Sequence, residues 1–264
     1  MYQFVYQRPG SLPEAVEQST QAREGLFLAG GMTLIPTMKL RLTAPSNLID
    51  LTDLAELKGI RQEGNAIIVG ATTTHAQVVS TPEVRDLLPA LAALAESIGD
   101  PQVRNRGTIG GSIANADPAA DYPAAVVGLG AIVKTNTRTI AGDDFFTGLF
   151  ETALDPNELI VAVSFPIPQR AAYMKFPNPA SRYAIVGVMV SQGNDGVRVA
   201  VTGAGPNVFR VPEMEQALAV NFAPEVLEEI TVSADELNED FHASADYRAH
   251  LIKVMAKRAV VAAT

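Results

Sequence analysis

The 264-residue sequence contains no cysteine and no tryptophan, and it has only three histidines. Without cysteine the chain can form neither a disulfide nor a zinc–thiolate site, and it cannot ligate an iron–sulfur cluster. His75, His242 and His250 show no metal-ligand spacing, so we interpret them as surface or capping residues. Any redox group bound by this chain must therefore be an organic cofactor.

Positive charge is also scarce, with 20 Lys and Arg against 29 Asp and Glu and a net charge of −9. This balance argues against nucleic acid as the main partner, because phosphate binding needs clustered basic side chains. No apolar run approaches the roughly 18 residues of a membrane span, and the N-terminus lacks an apolar signal region, so we expect a cytoplasmic protein. The 47% of hydrophobic residues predict a globular chain with two domains or several subdomains.

The stretch 98–123 is rich in small polar residues and lies between two apolar segments. Glycine lets a ligand approach the main chain closely, and hydroxyls with free amides form a concavity suited to phosphate oxygens. The residues of this stretch that fit such a loop are Gly107, Thr108, Gly110, Gly111, Ser112 and Asn115. We therefore interpret it as a ligand-binding loop.

A second glycine turn, Gly30-Gly31-Met32-Thr33, directly follows a predicted strand over 25–29. Taken alone, this turn is more typical of an ordinary strand-to-helix connection than of an anion site. It lacks the third glycine and the acidic ribose partner of the Rossmann fingerprint. Two Gly-Gly turns followed by hydroxyl residues nevertheless fit one ligand with a pyrophosphate, which favours a dinucleotide bound outside the Rossmann scheme.

Asp117 and Asp121 lie four residues apart within the stretch 98–123. They are consistent with paired carboxylates for acid–base work, with capping of a helix that starts near Pro118, or with acceptors for ribityl or ribose hydroxyls. No Ser-His-Asp arrangement is apparent, and we assign no catalytic residue.

The remaining pattern predicts an α+β chain with a boundary at Pro166 and Pro168, which end a strand over 158–165. Before this boundary we predict a helix capped by Ser11 and one long helix over 84–98. After it we predict a meander of three strands followed by helices, which is typical of an α+β domain. The predicted ranges are 171–176, 184–191 and 197–202 for the strands and 212–219, 224–230 and 243–262 for the helices.

The segments 29–42 and 98–112 closely resemble the FAD-binding medium subunit of the molybdenum hydroxylases, the group that includes carbon monoxide dehydrogenase and the flavin domain of xanthine dehydrogenase. The resemblance continues at Lys175-Phe176, Arg182-Tyr-Ala184 and Gly203-Ala-Gly-Pro206, and at 242–248 and 257–259, so it covers nearly the whole chain.

This resemblance implies an α+β fold with an FAD-binding domain over 1–167, of the vanillyl-alcohol-oxidase (PCMH) type, with subdomains at about 1–54 and 55–167. A C-terminal flavoprotein domain over 168–264 would carry a three-stranded antiparallel sheet with helices. The implied boundary agrees with the one predicted from the proline pair.

The resemblance also implies how FAD is held. Backbone amides of 29–33 and 108–112 would bind the pyrophosphate, Asp121 would bind the cofactor, and Ile160 would be an apolar neighbour. Lys175, otherwise interpreted as a surface lysine, would lie near the flavin and could stabilise its reduced anionic form by charge. The implied cofactor-binding residues are Leu28, Ala29, Gly30, Gly31, Met32, Thr33, Leu34, Ile98, Thr108, Ile109, Gly110, Gly111, Ser112, Asn115, Asp121, Ile160, Lys175 and Tyr183.

Met32 departs from the family pattern, because relatives often carry a polar residue there. Any hydrogen bond from that side chain to the cofactor would be lost, while the backbone cradle does not depend on it. The absence of cysteine excludes a cysteinyl flavin link, so we expect noncovalent FAD.

The implied function is electron transfer within a molybdenum hydroxylase. A molybdopterin-binding large subunit and a [2Fe-2S] small subunit would be the partners, in a heterotrimer that forms a dimer of heterotrimers. FAD would take electrons from the [2Fe-2S] subunit and pass them to NAD, a quinone or oxygen. The alternatives are a stand-alone FAD-dependent oxidoreductase with its own substrate pocket and a flavin-free structural module.

Overall fold

Residues 1–263, which the computed structural model describes, form three β-sheets with packed helices and a short two-stranded hairpin. The chain thus has a mixed helix-and-sheet fold, as predicted. None of the helices in these residues combines the length and the apolar composition needed to cross a bilayer.

The first sheet is parallel, with strand order β1-β3-β2. Its elements are β1 (Val5–Gln7), α1 (Leu12–Gln21), β2 (Gly25–Leu28), α2 (Leu34–Lys39) and β3 (Asn47–Asp50). Ser11 caps α1 as predicted, since its side chain accepts a hydrogen bond from the Glu14 amide. The turn Gly30–Thr33 connects β2 to α2 at one end of this sheet.

The second sheet has five antiparallel strands in the order β4-β5-β10-β6-β7. The stretch 98–123 and most of the helices lie between β5 and β10 in the sequence. The elements are a 3-10 turn (Ala55–Leu57), β4 (Ile60–Glu63), β5 (Ala66–Gly70), α3 (His75–Ser80), α4 (Pro82–Leu87), α5 (Pro89–Glu96), α6 (Pro101–Arg104), α7 (Ile109–Asn115), α8 (Tyr122–Gly128), β6 (Ile132–Thr135), β7 (Thr139–Ala141), α9 (Gly142–Phe145), the hairpin strands β8 (Phe146–Gly148) and β9 (Glu151–Thr152), and β10 (Ile160–Pro166).

The single helix predicted over 84–98 is wrong. The chain forms α4 and α5 instead, with Leu88 between them in a non-helical conformation (φ −144°, ψ 58°). Pro89 causes the break, because proline lacks an amide hydrogen and disfavours helical geometry at the preceding residue. The apolar periodicity of the segment 84–98 is retained across the break, so Val84, Leu91 and Leu94 are still buried.

The third sheet is antiparallel, with strand order β11-β12-β13-β14. Its elements are β11 (Arg170–Pro177), β12 (Ala184–Gly193), β13 (Gly196–Thr202), β14 (Phe209–Arg210), α10 (Pro212–Val220), a 3-10 turn (Pro224–Leu227) and α11 (Ala245–Ala262). The three predicted strands are present as β11, β12 and β13. The expectation of a three-stranded sheet is wrong, because β14 adds a fourth strand. The two-residue β14 pairs with Ala200 and Val201 at the free edge of β13, where the sequence is too short for a recognisable strand pattern. The predicted helix 224–230 is wrong, because the segment forms only the 3-10 turn Pro224–Leu227.

The third sheet is covered by a helix on each of its two faces. One face lies on α11 and the other on the fully buried α8. Tyr173, Met189 and Ala200 from the third sheet belong to the same core as the second sheet. The C-terminal part of the chain is therefore continuous in packing with the part that carries the glycine loops.

Glu158 joins β10 to the turns around it. Its nearly inaccessible carboxylate accepts hydrogen bonds from the hydroxyls of Thr135 and Thr137, the guanidinium of Arg138 and the amide of Asp155, over 2.6–3.0 Å. The Arg138 hydrogen bonds are the main cause that lowers the pKa of Glu158 to about 2. The folded state thus binds the ionised form more strongly than the unfolded chain does.

We predict that Glu158 makes the free energy of unfolding depend on pH between about 4.5 and 2. Its contribution is complete above the unfolded-state pKa and is lost as the pH falls through the folded-state value. Glu158→Gln should lose roughly 1.5–3 kcal/mol at pH 7, the usual scale for hydrogen bonds to a charged group, and should flatten that part of the profile. Urea unfolding curves from pH 7 to pH 3 measure both effects.

Glu63→Gln is the matched control, because Glu63 also pairs with an arginine, Arg61, but both side chains are more than half exposed. This variant should change the unfolding free energy by less than about 1 kcal/mol. Equal losses in the two variants would contradict the account of Glu158.

Candidate functional site

A cavity of about 700 Å³ is lined by residues of the first and second sheets and of the β11–β12 loop, and both glycine turns contribute to its wall. This volume is within the range of small-molecule and cofactor sites, about 300–1,000 Å³. The wall is mainly apolar, with Ile98 and Ile160 among its side chains. Its ionisable side chains are His75, Asp117, Asp121, Glu158, Arg182 and Tyr183.

The two glycine turns are in backbone contact at Gly30. A Cβ atom on Gly30 would overlap the carbonyl oxygen of Arg106 and would lie 2.8 Å from its carbonyl carbon and 2.9 Å from the Cα of Gly107. No side chain fits in this space, so only glycine allows the two turns to approach so closely. Gly31 follows with φ of +72°, a left-handed conformation that turns the chain into α2.

The first turn presents a row of free backbone donors. Within residues 1–263, none of the amides of Ala29–Leu34 donates a hydrogen bond to another protein group. The first engaged amide is that of Ile35, which bonds to the Gly31 carbonyl at 3.1 Å. Successive unengaged amides in a tight turn form an anion-binding concavity, and these residues all line the cavity.

The second turn is different, because most of its amides are already used. The amide of Ile109 bonds to Thr73, that of Gly110 to Ala71, and those of Gly111 and Ser112 to Thr108. The expectation that the amides of 108–112 act together on a pyrophosphate is therefore wrong for 109–112. Two contacts are the reason: the carbonyls of the preceding segment 71–73 engage Ile109 and Gly110, and Thr108, the N-cap residue of α7, engages Gly111 and Ser112.

Asp121 is the buried charged group of the cavity wall. Tyr173 donates its hydroxyl hydrogen to Oδ1 at 2.5 Å, and the Lys175 ammonium donates to Oδ2 at 3.0 Å. Lys175 also donates to the Ser97 carbonyl at 3.1 Å. Burial raises the pKa of Asp121, while the charge of Lys175 and the two hydrogen bonds oppose that rise. The interpretation of Lys175 as a surface lysine is wrong, because its side chain is only 6% exposed.

Of the three roles considered for the two aspartates, helix capping by Asp121 is excluded. Asp121 precedes α8, but its side chain makes no capping hydrogen bond. Asp117 instead accepts a hydrogen bond from the amide of Ala119 at 2.9 Å, and burial raises its pKa. Its carboxyl group stabilises the turn that leads to Asp121.

The segment between these aspartates is held by the third sheet. The Thr202 hydroxyl donates to the carbonyls of Pro118 and Ala120, at 3.1 and 2.6 Å. The Gly203 amide donates to Pro118 at 2.8 Å, and the Ala184 amide donates to Ala119 at 3.2 Å. The C-terminal part of the chain therefore fixes the position of Asp121 through both backbone and side-chain contacts.

All but two of the predicted cofactor-binding residues line the cavity. Ile109 is fully buried in the core, and its amide is engaged with Thr73, so it offers nothing to a ligand there. Lys175 lies behind Asp121 rather than on the wall. Ile109 was predicted because it stands inside the glycine motif. It is the first residue of α7, directly after the cap Thr108, and its side chain is buried in the core.

His75, Tyr173 and Arg182 were not predicted as residues of the site. The interpretation of His75 as a surface or capping residue is wrong, because it is 4% exposed and Thr74 is the cap of α3. His75 lines the cavity with its Nδ1 buried and without a hydrogen-bond partner, and burial is the main cause that lowers its pKa to about 4. Its imidazole is therefore neutral at physiological pH. Tyr173 could have been found from strand periodicity, because it lies two residues before Lys175 and so on the same face of β11. Arg182 stands in the motif Arg182-Tyr-Ala184 that carries the resemblance, but it was given no role in the site. No comparable signal marks His75, which directly follows the Thr74 cap of α3.

Two family models match the chain. The first, described as the FAD binding domain in molybdopterin dehydrogenase, covers residues 2–168. The second, described as the CO dehydrogenase flavoprotein C-terminal domain, covers residues 171–263. Together they account for nearly the whole sequence.

Known proteins agree with these matches over their full length. The chain is 36% identical to the carbon monoxide dehydrogenase medium chain of Hydrogenophaga pseudoflava, covering 98% of this chain and 96% of that one. It is 34% identical to the nicotine 6-hydroxylase medium subunit of Paenarthrobacter nicotinovorans, with the same coverage of both. The solved structure of the Hydrogenophaga pseudoflava carbon monoxide dehydrogenase that lacks the Mo-pyranopterin moiety matches with a TM-score of 0.90 over 98% of this chain and 96% of that chain. The chain therefore belongs to the FAD-binding medium subunits of the molybdenum hydroxylases, the flavoprotein components of oxidoreductase complexes.

Proposed function

We propose that this chain binds FAD noncovalently in the cavity and transfers electrons within a molybdenum hydroxylase complex. The observation that carries the proposal is the row of free amides at Ala29–Leu34, placed on a cavity of cofactor size. Arg182 is the only lysine or arginine on the described wall, so backbone donors must supply most of the stabilisation of a diphosphate. An amide nest does this without a cationic side chain.

The other residues of the wall fit the remaining parts of FAD. The amide of Thr108 has no partner within the described chain, and Ser112 and Asn115 add polar side chains beside it. Ile98 and Ile160 provide apolar surface. Tyr183, which is 45% exposed, lies at the mouth of the cavity, where an aromatic side chain can cover a flat ring.

FAD, when bound, supplies the capacity to accept two electrons and to release them to another acceptor. The work of this chain is to bind the cofactor, orient it and set the charge around it. Lys175 contributes to that charge only together with Asp121, because the two form a buried pair of opposite sign. The chain needs no general base, since the substrate reacts on another subunit.

Partner subunits follow from the same proposal. The two relatives are by name a medium chain and a medium subunit, and their enzymes are a carbon monoxide dehydrogenase and a nicotine hydroxylase. We infer a large molybdopterin-binding subunit and a small [2Fe-2S] subunit, assembled as a dimer of heterotrimers, with NAD, a quinone or oxygen as acceptor. The lack of cysteine supports this division, because this chain cannot ligate the cluster itself.

We further propose that the FAD-binding domain spans 1–167 with subdomains at about 1–54 and 55–167, has the PCMH-type topology, and is followed by the flavoprotein domain at 168–264. The separate parallel and antiparallel sheets on either side of the cavity support the two subdomains. The meeting of the two family models between 168 and 171 supports the boundary.

Purification of the untagged protein from its native host tests the proposal as a whole. We expect a flavin absorption spectrum, together with a large chain that carries molybdopterin and a small chain that carries a [2Fe-2S] cluster. Flavin on a lone chain that turns over a substrate would favour the stand-alone oxidoreductase. Absence of flavin, even after reconstitution with FAD, would contradict the proposal.

Gly30→Ala should strongly reduce FAD binding. Its Cβ would meet backbone atoms of Arg106 and Gly107, which cannot move aside as a side-chain end can, so the two turns must separate. Overpacking of this kind costs about 1–3 kcal/mol, and a loss of binding free energy of that size corresponds to an affinity roughly fivefold to 150-fold weaker. Fluorescence titration of the flavin-depleted complex with FAD measures the change.

Gly193→Ala is the matched control, because a Cβ there meets no atom within 4 Å and the φ angle is not left-handed. It should leave FAD affinity unchanged. An unchanged affinity in Gly30→Ala would show that the close approach of the two turns is not needed for the cofactor.

A further inference from the structure

Tyr173 is a buried hydroxyl that the electron-transfer function does not by itself explain. Its side chain projects from β11 in the third sheet and donates to Asp121 Oδ1 at 2.5 Å. Burial and the negative charge of Asp121 raise the pKa of Tyr173 well above its ordinary value of 10.0. The hydroxyl therefore keeps its hydrogen, and remains a donor, at every physiological pH.

The third sheet leaves a space for this hydroxyl. Gly187 lies on the adjacent strand β12, paired with Lys175, and a Cβ there would overlap the Tyr173 hydroxyl oxygen. The same atom would lie 2.9 Å from Tyr173 Cζ and 2.9 Å from Thr202 Cγ2. Glycine at this position thus allows the tyrosine to reach Asp121 across the junction between the sheets.

The surroundings of Asp121 contain one positive charge. Lys175, also on β11, is paired with it. The other ionisable groups that face it are Tyr122 on α8, Tyr183 in the β11–β12 loop and, near Tyr183, Asp117. Since the tyrosines are neutral, the balance of charge here depends on whether Asp117 and Asp121 are ionised, and of the two only Asp121 is paired with Lys175.

We propose that Tyr173 is a positioning residue that holds Asp121 in its ionised, Lys175-paired form and thereby sets the charge beside the cofactor. This inference rests on the proposed binding of FAD in the cavity. It assigns to the C-terminal domain a part in tuning the cofactor, through one hydrogen bond that crosses from β11 to the wall.

The physical consequence of losing this bond has a definite sign. In Tyr173→Phe, Asp121 keeps its burial but loses a donor, so its pKa rises further. As the pH falls, Asp121 is protonated before it is in the wild type, and the charge of Lys175 is left uncompensated. FAD loses an anionic acceptor on the cavity wall, while a reduced, negatively charged flavin is favoured by the unbalanced ammonium group.

The test uses the assembled complex carrying Tyr173→Phe, with FAD removed and then titrated back between pH 6 and pH 8. We expect FAD affinity to be about tenfold weaker than in the wild type at pH 6 and less than about threefold weaker at pH 8, the scale of one hydrogen bond to a charged group. The midpoint potential of the bound FAD, measured by spectroelectrochemistry, should be higher than in the wild type at pH 6 and approach it at pH 8.

Two further variants separate this effect from a general loss of structure. Tyr6→Phe also removes a tyrosine-to-carboxylate hydrogen bond, to Asp50, but neither residue lines the cavity, so its FAD affinity should match the wild type. In an Asp121→Asn background, Tyr173→Phe should add no pH-dependent change, because no ionisable group remains at residue 121.

The outcomes are distinguishable. If the wild-type complex binds no FAD, the proposed function itself fails. If it binds FAD and Tyr173→Phe gives no change, or the same change at every pH, the positioning role is overturned. A pH-dependent effect that persists in the Asp121→Asn background would show that Tyr173 does not act through Asp121.

Discussion

The backbone contact between Gly30 and the Arg106–Gly107 segment is the constraint on which the cavity depends. Residues far apart in sequence meet there without room for a Cβ atom, and their approach closes one end of the cavity. The contact also fixes the conformation of the first turn, in which the amides of Ala29–Leu34 are left without protein partners. Free amides cost stability if they are buried without a ligand, so the fold keeps them on a cavity wall. In the proposed function, the anionic diphosphate of FAD would satisfy them.

The part of the cavity wall around Asp121 is organised by charge rather than by close packing. Burial raises the pKa of Asp121, whereas Lys175 and the Tyr173 hydroxyl favour its ionised form, in which it forms a pair of opposite charge with Lys175. The third sheet supplies both Lys175 and Tyr173, and it also holds the backbone of the preceding turn through Thr202. The C-terminal part of the chain thus contributes to the proposed cofactor site, and among residues 1–263 it lines the cavity only through the β11–β12 loop.

Much of this arrangement could be predicted from the sequence because its signals are local. Glycine turns, the Ser11 cap and the strands of the third sheet follow from residue types at short spacing. The break at Pro89 was also a local signal, but the apolar periodicity on both sides of it outweighed the proline. What could not be predicted depends on distant contacts. The internal use of the amides of Ile109–Ser112 requires Ala71 and Thr73, and the burial of Lys175 requires Asp121, 54 residues earlier.

Hydrogen–deuterium exchange in the assembled complex, with and without FAD, tests the account most directly. The amides of Ala29–Leu34 have no protein acceptor, so the account predicts that they exchange readily without FAD and become protected when it binds. The amides of Ile109–Ser112 are already engaged and should change little. Protection that appears at 109–112 while 29–34 remain unaffected would contradict the assignment of the first turn as the anion cradle.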